Sequence, residues 1–387
     1  MSVTACLGDV TEIVMGQAPP GSDCNKDGVG TVFVKAGEFD ERRPLTREWT
    51  TNPLKRARVG DVLVCVVGAT AGKVNEAIDC AIGRSVAAVR PDTSKLASSY
   101  LYHFLVTQVL RLRIKSQGLA QGVITREMLR EMAIPLPPFA EQQRIAEILD
   151  RAEALRAKRR AAIAQLDTLT QYIFLDLFGD PATNPKRWAR VPFGDLLSKI
   201  DSGWSPVCLD RPVVTNEWGV LKLGAVTWCE YNPAENKAML PSVAPDPELE
   251  VQPGDLLFTR KNTYDLVAAC ALVQATPPRL QMSDLIFRFR LRPDAKIDAC
   301  FLHRLLIYPT KRREIQKLAG GSAGSMPNIS KARLQSALIE APPLALQRDF
   351  ARRVATVEKL KSAHRATLSK LDALFAVLQH RAFRGEL

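Results

Sequence analysis

The second half of this 387-residue chain restates the first. Pro137-Pro138 opens a segment that runs through Leu166-Asp167-Thr168-Leu169 to Phe178. Pro342-Pro343 opens one that runs through Leu371-Asp372-Ala373-Leu374 to Phe383, and the two keep one spacing throughout. A tandem repeat of this kind confines the chain to two copies of one architecture. Without an evident catalytic signature, such a duplication suits a protein that grips two places on one partner.

The length exceeds one ordinary core and predicts two domains plus connecting helices. A hydrophobic fraction of 46% and a charged fraction of 24% belong to a folded protein with real cores. The 53 Lys and Arg against 41 Asp and Glu leave a net charge of +12, which favours a polyanionic partner, with nucleic acid leading and a membrane surface as the rival. No apolar run approaches the roughly 20 residues of a spanning helix, and no basic-then-apolar signal peptide opens the chain, so a cytoplasmic protein is expected. Cys6, Cys24, Cys65, Cys80, Cys208, Cys229, Cys270 and Cys300 are dispersed without a CxxC pair. They read as reduced, mostly buried thiols, and with only His103, His303, His364 and His380 beside them no metal site is expected.

Residues 1–136 and 193–341 are short apolar runs broken by Gly, Pro, Asn and Asp, which predicts an α+β class of strands, turns and a few helices. Their landmarks correspond in order: Leu7-Gly8-Asp9-Val10 with Phe193-Gly194-Asp195-Leu196, Gly16 with Gly203, and Lys35-Ala36-Gly37 with Lys222-Leu223-Gly224. Gly60-Asp61 follows with Gly254-Asp255, then Arg90-Pro91-Asp92 with Arg292-Pro293-Asp294. Two scaffolds that share landmarks and differ between them differ where ligands are read. Amphipathic helices are expected over Tyr100 to Ile114 and Phe301 to Leu318. Residues 137–178 and 342–387 each hold a long helix. Phe139 to Phe178 has no Pro or Gly and would extend about 60 Å. The expected apolar seam is Ile145, Leu149, Leu155, Ile163, Leu166 and Leu169 in the first helix. In the second it is Phe350, Val354, Leu360, Leu368, Leu371 and Leu374, with matching breaks at Arg159 and His364. Matching seams predict an antiparallel coiled coil with pseudo-two-fold symmetry; the alternative is that each helix packs only on its own domain. Residues 179–192, rich in Pro, Asn and Asp, form the linker.

The run Pro-Leu-Pro-Pro-Phe-Ala-Glu-Gln-Gln-Arg-Ile at 135–145, the Gly-Asp-Pro-x-x-Asn-Pro linker ending in Trp188, Leu-Gln-Arg-Asp-Phe at 346–350 and the C-terminal Leu371 to Leu387 carry a resemblance. In these motifs and in its domain-helix-domain-helix order, the whole chain resembles the specificity subunits of Type I restriction-modification systems. The resemblance implies a non-catalytic DNA-reading subunit. Two target-recognition domains would each bind one half of a split, asymmetric double-stranded DNA target, and the paired helices would fix the unread gap. It also implies modification (methyltransferase) subunits, two in number, carrying S-adenosylmethionine, and restriction/translocase subunits using ATP with Mg; this chain itself would bind no cofactor. Two departures stand out: Leu346 replaces the Glu141 of the first copy, and Arg187 occupies a position before Trp188 where a small residue such as Gly is expected.

The residues agree with a reader rather than a catalyst. Asn52-Pro53-Leu54 and Asn184-Pro185-Lys186 lack the second proline and aromatic of an adenine methyltransferase. Gly68-Ala69-Thr70-Ala71-Gly72-Lys73 has one residue too few for a phosphate loop and is followed by Val74, not Ser or Thr. Affinity must then come from Lys and Arg on phosphates and specificity from side chains on base edges. In the first domain the candidates are Arg42, Arg43, Arg47, Lys55, Arg56, Lys73 and Arg84. In the second they are Lys222, Arg260, Lys261, Asn262, Tyr264, Arg279 and Gln281, with Asn262 and Gln281 suited to adenine and Arg84 and Arg260 to guanine. For each alone, a solvated surface charge is the competing reading. Two rival functions remain open from sequence: a stand-alone DNA methyltransferase or nuclease, and a protein-only coiled-coil scaffold.

Overall fold

The computed structural model describes residues 3–117, 123–320 and 326–387. The chain divides into two compact units, Met1–Ala162 with His364–Leu387, and Ile163–Ala363. Each unit thus combines one variable domain with part of each long helix.

In the first unit, strands Thr11–Met15, Val86–Pro91, Val62–Cys65 and Val74–Glu76 lie in that order in one antiparallel sheet. Successive side chains of a strand point to opposite faces, and here both faces are covered. Val62, Val64, Ala87 and Val89 enter a core with the helix Ser98–Gln117, while Leu63, Cys65, Val86 and Ala88 enter a second core. This is why the runs VLVC and VAAV are apolar throughout instead of alternating. The second core is roofed by a five-stranded sheet containing a parallel pair, Thr31–Val34 with Cys80–Ile82.

The second unit repeats the order with Leu197–Ser202, Ile286–Leu291, Leu256–Thr259 and Cys270–Leu272. Phe287 and Phe289 enter one core, and Ile286 on the opposite face enters another. A smaller sheet again holds a parallel pair, Gly219–Leu221 with Leu280–Gln281. Gly16 and Gly203 are equivalent down to the constraint: a Cβ at either would lie 2.2 or 2.3 Å from the carbonyl oxygen of Gly83 or Ser283.

Strand register corrects one landmark. Asp92 and Arg292 donate their amides to Val10 and Leu196, which are themselves equivalent, so Arg90 matches Arg290 and not Arg292. The expected helix over Phe301 to Leu318 is two helices, Ala299–Ile307 and Pro309–Gln316. Pro309 forces Tyr308 into an extended conformation (φ −61°, ψ 132°).

The long helices span Phe139–Phe178 and Leu344–Ala382. Their equivalent residues are offset by 205 positions, as 178 to 383 and 142 to 347. Within the first unit the two helix segments run antiparallel, with Arg156 against Asp372 and Phe375 and Arg159 against His364. Within the second, Asp167 meets Lys361, and both Phe174 and Phe178 meet Phe350. Each segment also packs on the domain of its unit: Ile145, Ala146 and Leu149 share a core with Leu7 and Tyr100, and Phe350 and Val354 share one with Phe193 and Phe301.

The seam differs from the expected one. Ile145, Leu149, Phe350 and Val354 are buried and Ile163, Leu166, Leu368 and Leu371 half-buried, but Leu155 (53%), Leu169 (44%), Leu360 (49%) and Leu374 (51%) are exposed. The inward positions are taken instead by Arg156, Thr170, Phe174, Lys361 and Phe375. A 3.6-residue period drifts away from a heptad over such lengths, and the polar members of the inward stripe are invisible to a search for leucines.

A buried glutamine fastens each helix start. Gln142 donates to Lys95 O (2.8 Å) and Pro137 O (3.0 Å) and accepts from the Ala97 amide (2.9 Å). Gln347 donates to Lys296 O (3.1 Å) and Pro342 O (2.7 Å) and accepts from the Asp298 amide (2.8 Å). The linker is equally ordered. Asn184 and Trp188 bond reciprocally, the Trp188 indole donates to Phe178 O (2.9 Å), and Arg187 adopts φ +54°, the left-handed conformation that explains why glycine was expected there.

Candidate nucleic-acid interface

In the first unit the structure separates the proposed cations into two groups. Arg42 bonds Glu76 (2.6 Å) and Asp150 of the long helix (2.8 Å), and Arg43 bonds Glu76. Asp150 also meets the ring of buried His103 at 2.9 Å. Burial opposes ionisation of Asp150, yet His103 and Arg42 hold its carboxyl below the usual range. Arg42 therefore ties the first domain to the helix, and Lys73 is tied inward through Phe39 O (2.7 Å). That lysine closes the glycine-rich turn between strands Val62–Cys65 and Val74–Glu76, where Ala71 bonds back to Gly68 O.

The other four cations, Arg47, Lys55, Arg56 and Arg84, are exposed, and among the described residues none forms an ion pair. The Lys55 carbonyl accepts from Ile82 and Arg56 lies opposite Ala81, so Lys55, Arg56 and Arg84 gather at one end of the five-stranded sheet. Arg47, just ahead of strand Trp49–Thr50, lies at the same end by strand register, because Trp49 pairs with Val32 and Val34 with Ile82.

In the second unit Asn262 and Gln281 are corrected as base readers. Asn262 is buried and donates to Thr227 Oγ1 (3.3 Å), and Gln281, fully buried, accepts from the Asp246 amide (3.2 Å). Both brace loops from within. Arg279 is exposed at φ +66°, with its guanidinium on Asn216 O. Lys222 is half-buried ahead of the short helix Gly224–Thr227. Arg260 lies over the Phe287 ring (5.0 Å) beside Asn328, Lys261 pairs with Asn328 through a β-bridge, and Tyr264 is exposed, its carbonyl held by Gln316.

Sequence reading missed the cations next to these. Lys331 lies over the same Phe287 ring (5.6 Å) and lines a cleft of about 430 Å³ with Lys199, Arg288 and Arg290. Arg288 is buried and fully engaged by Asp201, Asp255 and the carbonyls of Glu248 and Glu250, whereas Lys199 and Arg290 face solvent. Burial works against ionisation of Asp201, but Lys199, Arg290 and Arg288 hold it below the usual carboxylate range. The equivalent strands of the first unit carry no such tract: Glu12 stands opposite Arg90 where Lys199 stands opposite Arg290, and Val14 and Ala88 replace Asp201 and Arg288. The signal was present as Lys-x-Asp and Arg-x-Arg on strands whose pairing the sequence alone does not fix. Trp228, 74% exposed beside Thr227, was also overlooked.

Nothing here forms a metal or thiol centre among the described residues. Among the described residues no group of three or more His, Cys, Asp or Glu could hold a metal, and no helix is long and apolar enough to cross a membrane. The eight cysteines are free thiols; Cys65, Cys80 and Cys270 are buried, Cys6 is exposed and the rest lie between, so fewer are buried than expected. Burial pushes the Cys80 thiol up to about 12. His303 is held neutral by burial, its pKa lowered to about 4, and its ring meets the carbonyls of Cys229 and Cys270.

Residues 2–165 match the Type I restriction modification DNA specificity domain. The chain is 34% identical over 206 residues to the Type I restriction enzyme EcoEI specificity subunit of Escherichia coli, which covers 50% of this chain and 34% of that protein. It is 25% identical over 334 residues to the EcoKI specificity subunit of E. coli strain K12, covering 80% and 69%. The aligned stretch thus spans about a third of the EcoEI protein. Among solved structures, the Type I restriction-modification S subunit from M. genitalium superposes with a TM-score of 0.61 at 14% identity, over 99% of this chain and 96% of that one. A chain from a study of complex assembly and conformational transition of the type I R-M system gives 0.55 at 19%, over 100% and 98%. The repeated α+β architecture is therefore the fold of those proteins, and residues 2–165 match the Type I restriction modification DNA specificity domain.

Proposed function

We propose that this chain is the non-catalytic specificity subunit of a cytoplasmic Type I restriction-modification complex, reading a bipartite, asymmetric double-stranded DNA target. The observation that carries the reading is the duplicated scaffold with cations placed differently on each copy: Lys55, Arg56 and Arg84 on the first, and Arg260, Lys331, Lys199 and Arg290 on the second. Equal scaffolds with unequal charged surfaces fit two different half-sites. The long helices are the spacer, paired as an antiparallel coiled coil.

Methyltransferase and restriction subunits are the proposed partners, and S-adenosylmethionine and ATP with Mg are proposed to bind there. Two copies of the methyltransferase subunit are supported by matched exposed apolar residues: Leu155 with Leu360, Leu169 with Leu374, and Tyr172 with Val377, each pair 205 positions apart. The decisive experiment is single-molecule methylome sequencing of the host beside a strain lacking this gene. Loss of methylation at one split motif with an undefined gap is the expected result; an unchanged methylome overturns the reading.

A further inference from the structure

Each long helix buries a cation at an inward position, and the two burials are copies of each other. In the first unit Arg156, with 16% of its side chain exposed, sits between Glu153 and Asp372 of the facing helix (Nε to Oδ1 2.6 Å), its guanidinium 4.3 Å from the Phe375 ring centre. In the second unit Lys361, 2% exposed, sits between Glu358 (3.0 Å) and Asp167 of the facing helix (2.6 Å). All three members recur at the same offset of 205: 153 and 358, 156 and 361, 167 and 372. The leucines immediately before each cation, Leu155 and Leu360, are exposed.

Apolar side chains on a helix surface are interchangeable contacts, so an apolar seam tolerates sliding by a turn of about 5.4 Å. A buried cation gripped by carboxylates does not, because the slide leaves it desolvated without a partner, and single polar residues in helix seams are known to specify register. We propose that the Glu153–Arg156–Asp372 and Glu358–Lys361–Asp167 clasps fix the axial register of the helix pair. On the function proposed above, on which this second step rests, that register sets the length of unread DNA between half-sites. Arg156 and Lys361 are positioning residues, not DNA contacts.

The test uses the full chain assembled with its methyltransferase subunits and reads register without DNA. Arg159→Cys with His364→Cys reports the native alignment, and Arg159→Cys with Leu368→Cys a slide of one turn. Each pair is introduced into the otherwise unaltered chain, into Lys361→Asp, into the volume-conserving Lys361→Met, and into the charge swap Lys361→Asp with Asp167→Lys. The expected result is native cross-linking in the unaltered chain, slid cross-linking at a fifth of the total or more in Lys361→Asp and Lys361→Met, and at least half-restored native alignment in the swap. Native cross-linking alone in both single variants overturns the clasps as register devices. In the same samples, affinities for duplexes with the gap lengthened or shortened by one base pair should lose at least fivefold of their discrimination in the slid variants. Discrimination unchanged despite slid cross-links overturns the link to gap length, and failure of the unaltered complex to bind any cognate duplex overturns the targeting function while leaving the cross-link result to stand.

Discussion

A single side chain can carry the junction between a domain and its helix, as Gln142 and Gln347 do. Each bonds three backbone groups from a buried side chain, and replacement by Leu removes all three bonds, so Gln142→Leu and Gln347→Leu should each destabilise by about 2–3 kcal/mol in urea titration. An equal loss from Gln143→Leu, whose side chain is exposed, would refute that account. At Arg187, φ +54° is a conformation that a β-carbon disfavours. Arg187→Gly should therefore leave stability unchanged or raise it by up to about 1 kcal/mol, measured in the same titration. His303 gives a pH signature. Its folded pKa of about 4 lies below the usual 6.5, so the unfolded chain binds the extra proton between those values. The stability that neutral burial secures is thus present above pH 6.5 and falls as pH drops toward 4. Down to pH 5 the loss should be about 2 kcal/mol. In His303→Gln the slope of stability against pH over that window should flatten; an unchanged slope assigns it to other groups.

At the level of elements, the duplicated motifs made the long helices and the α+β class legible, because Pro, Gly and Asn punctuate where backbone geometry demands them. The seam was only half legible. A leucine search finds Ile145, Leu149, Phe350 and Val354, but it cannot know that Arg156 and Lys361 point inward while Leu155 and Leu360 point out. The candidate interface was less legible still. Burial, which removes Asn262 and Gln281, is a property of the folded chain, and the pairing that sets Lys199 beside Arg290 depends on a register shift between Leu197 and Lys199. The split at Pro309 was readable from the proline itself. Pro309→Ala should not fuse the two helices at once, because Tyr308 packs on Phe174 (5.5 Å); circular dichroism of the variant should show a helical gain of only a residue or two.

For the whole molecule, the DNA binding proposed above should behave as a polyelectrolyte contact. The logarithm of affinity should fall linearly with the logarithm of salt, and Lys199→Ala or Arg290→Ala should each lower that slope by about 1. Arg260→Ala should weaken or relax only one half of the target, read by methylation of duplexes mismatched in either half; equal loss at both halves would remove Arg260 from the second reader. The outward leucines have a different consequence. Leu155, Leu169, Leu360 and Leu374, with Tyr172 and Val377, leave oily side chains in water on both helices. A chain translated in excess of its partners therefore has its own copies as the nearest apolar surface. Its sedimentation should grow heavier with concentration when it is made alone and become constant once methyltransferase subunits are supplied. On the proposed function, the number of complete complexes in a cell would then follow whichever polypeptide is scarcer, making the relative supply of the two chains a control on how much DNA is marked.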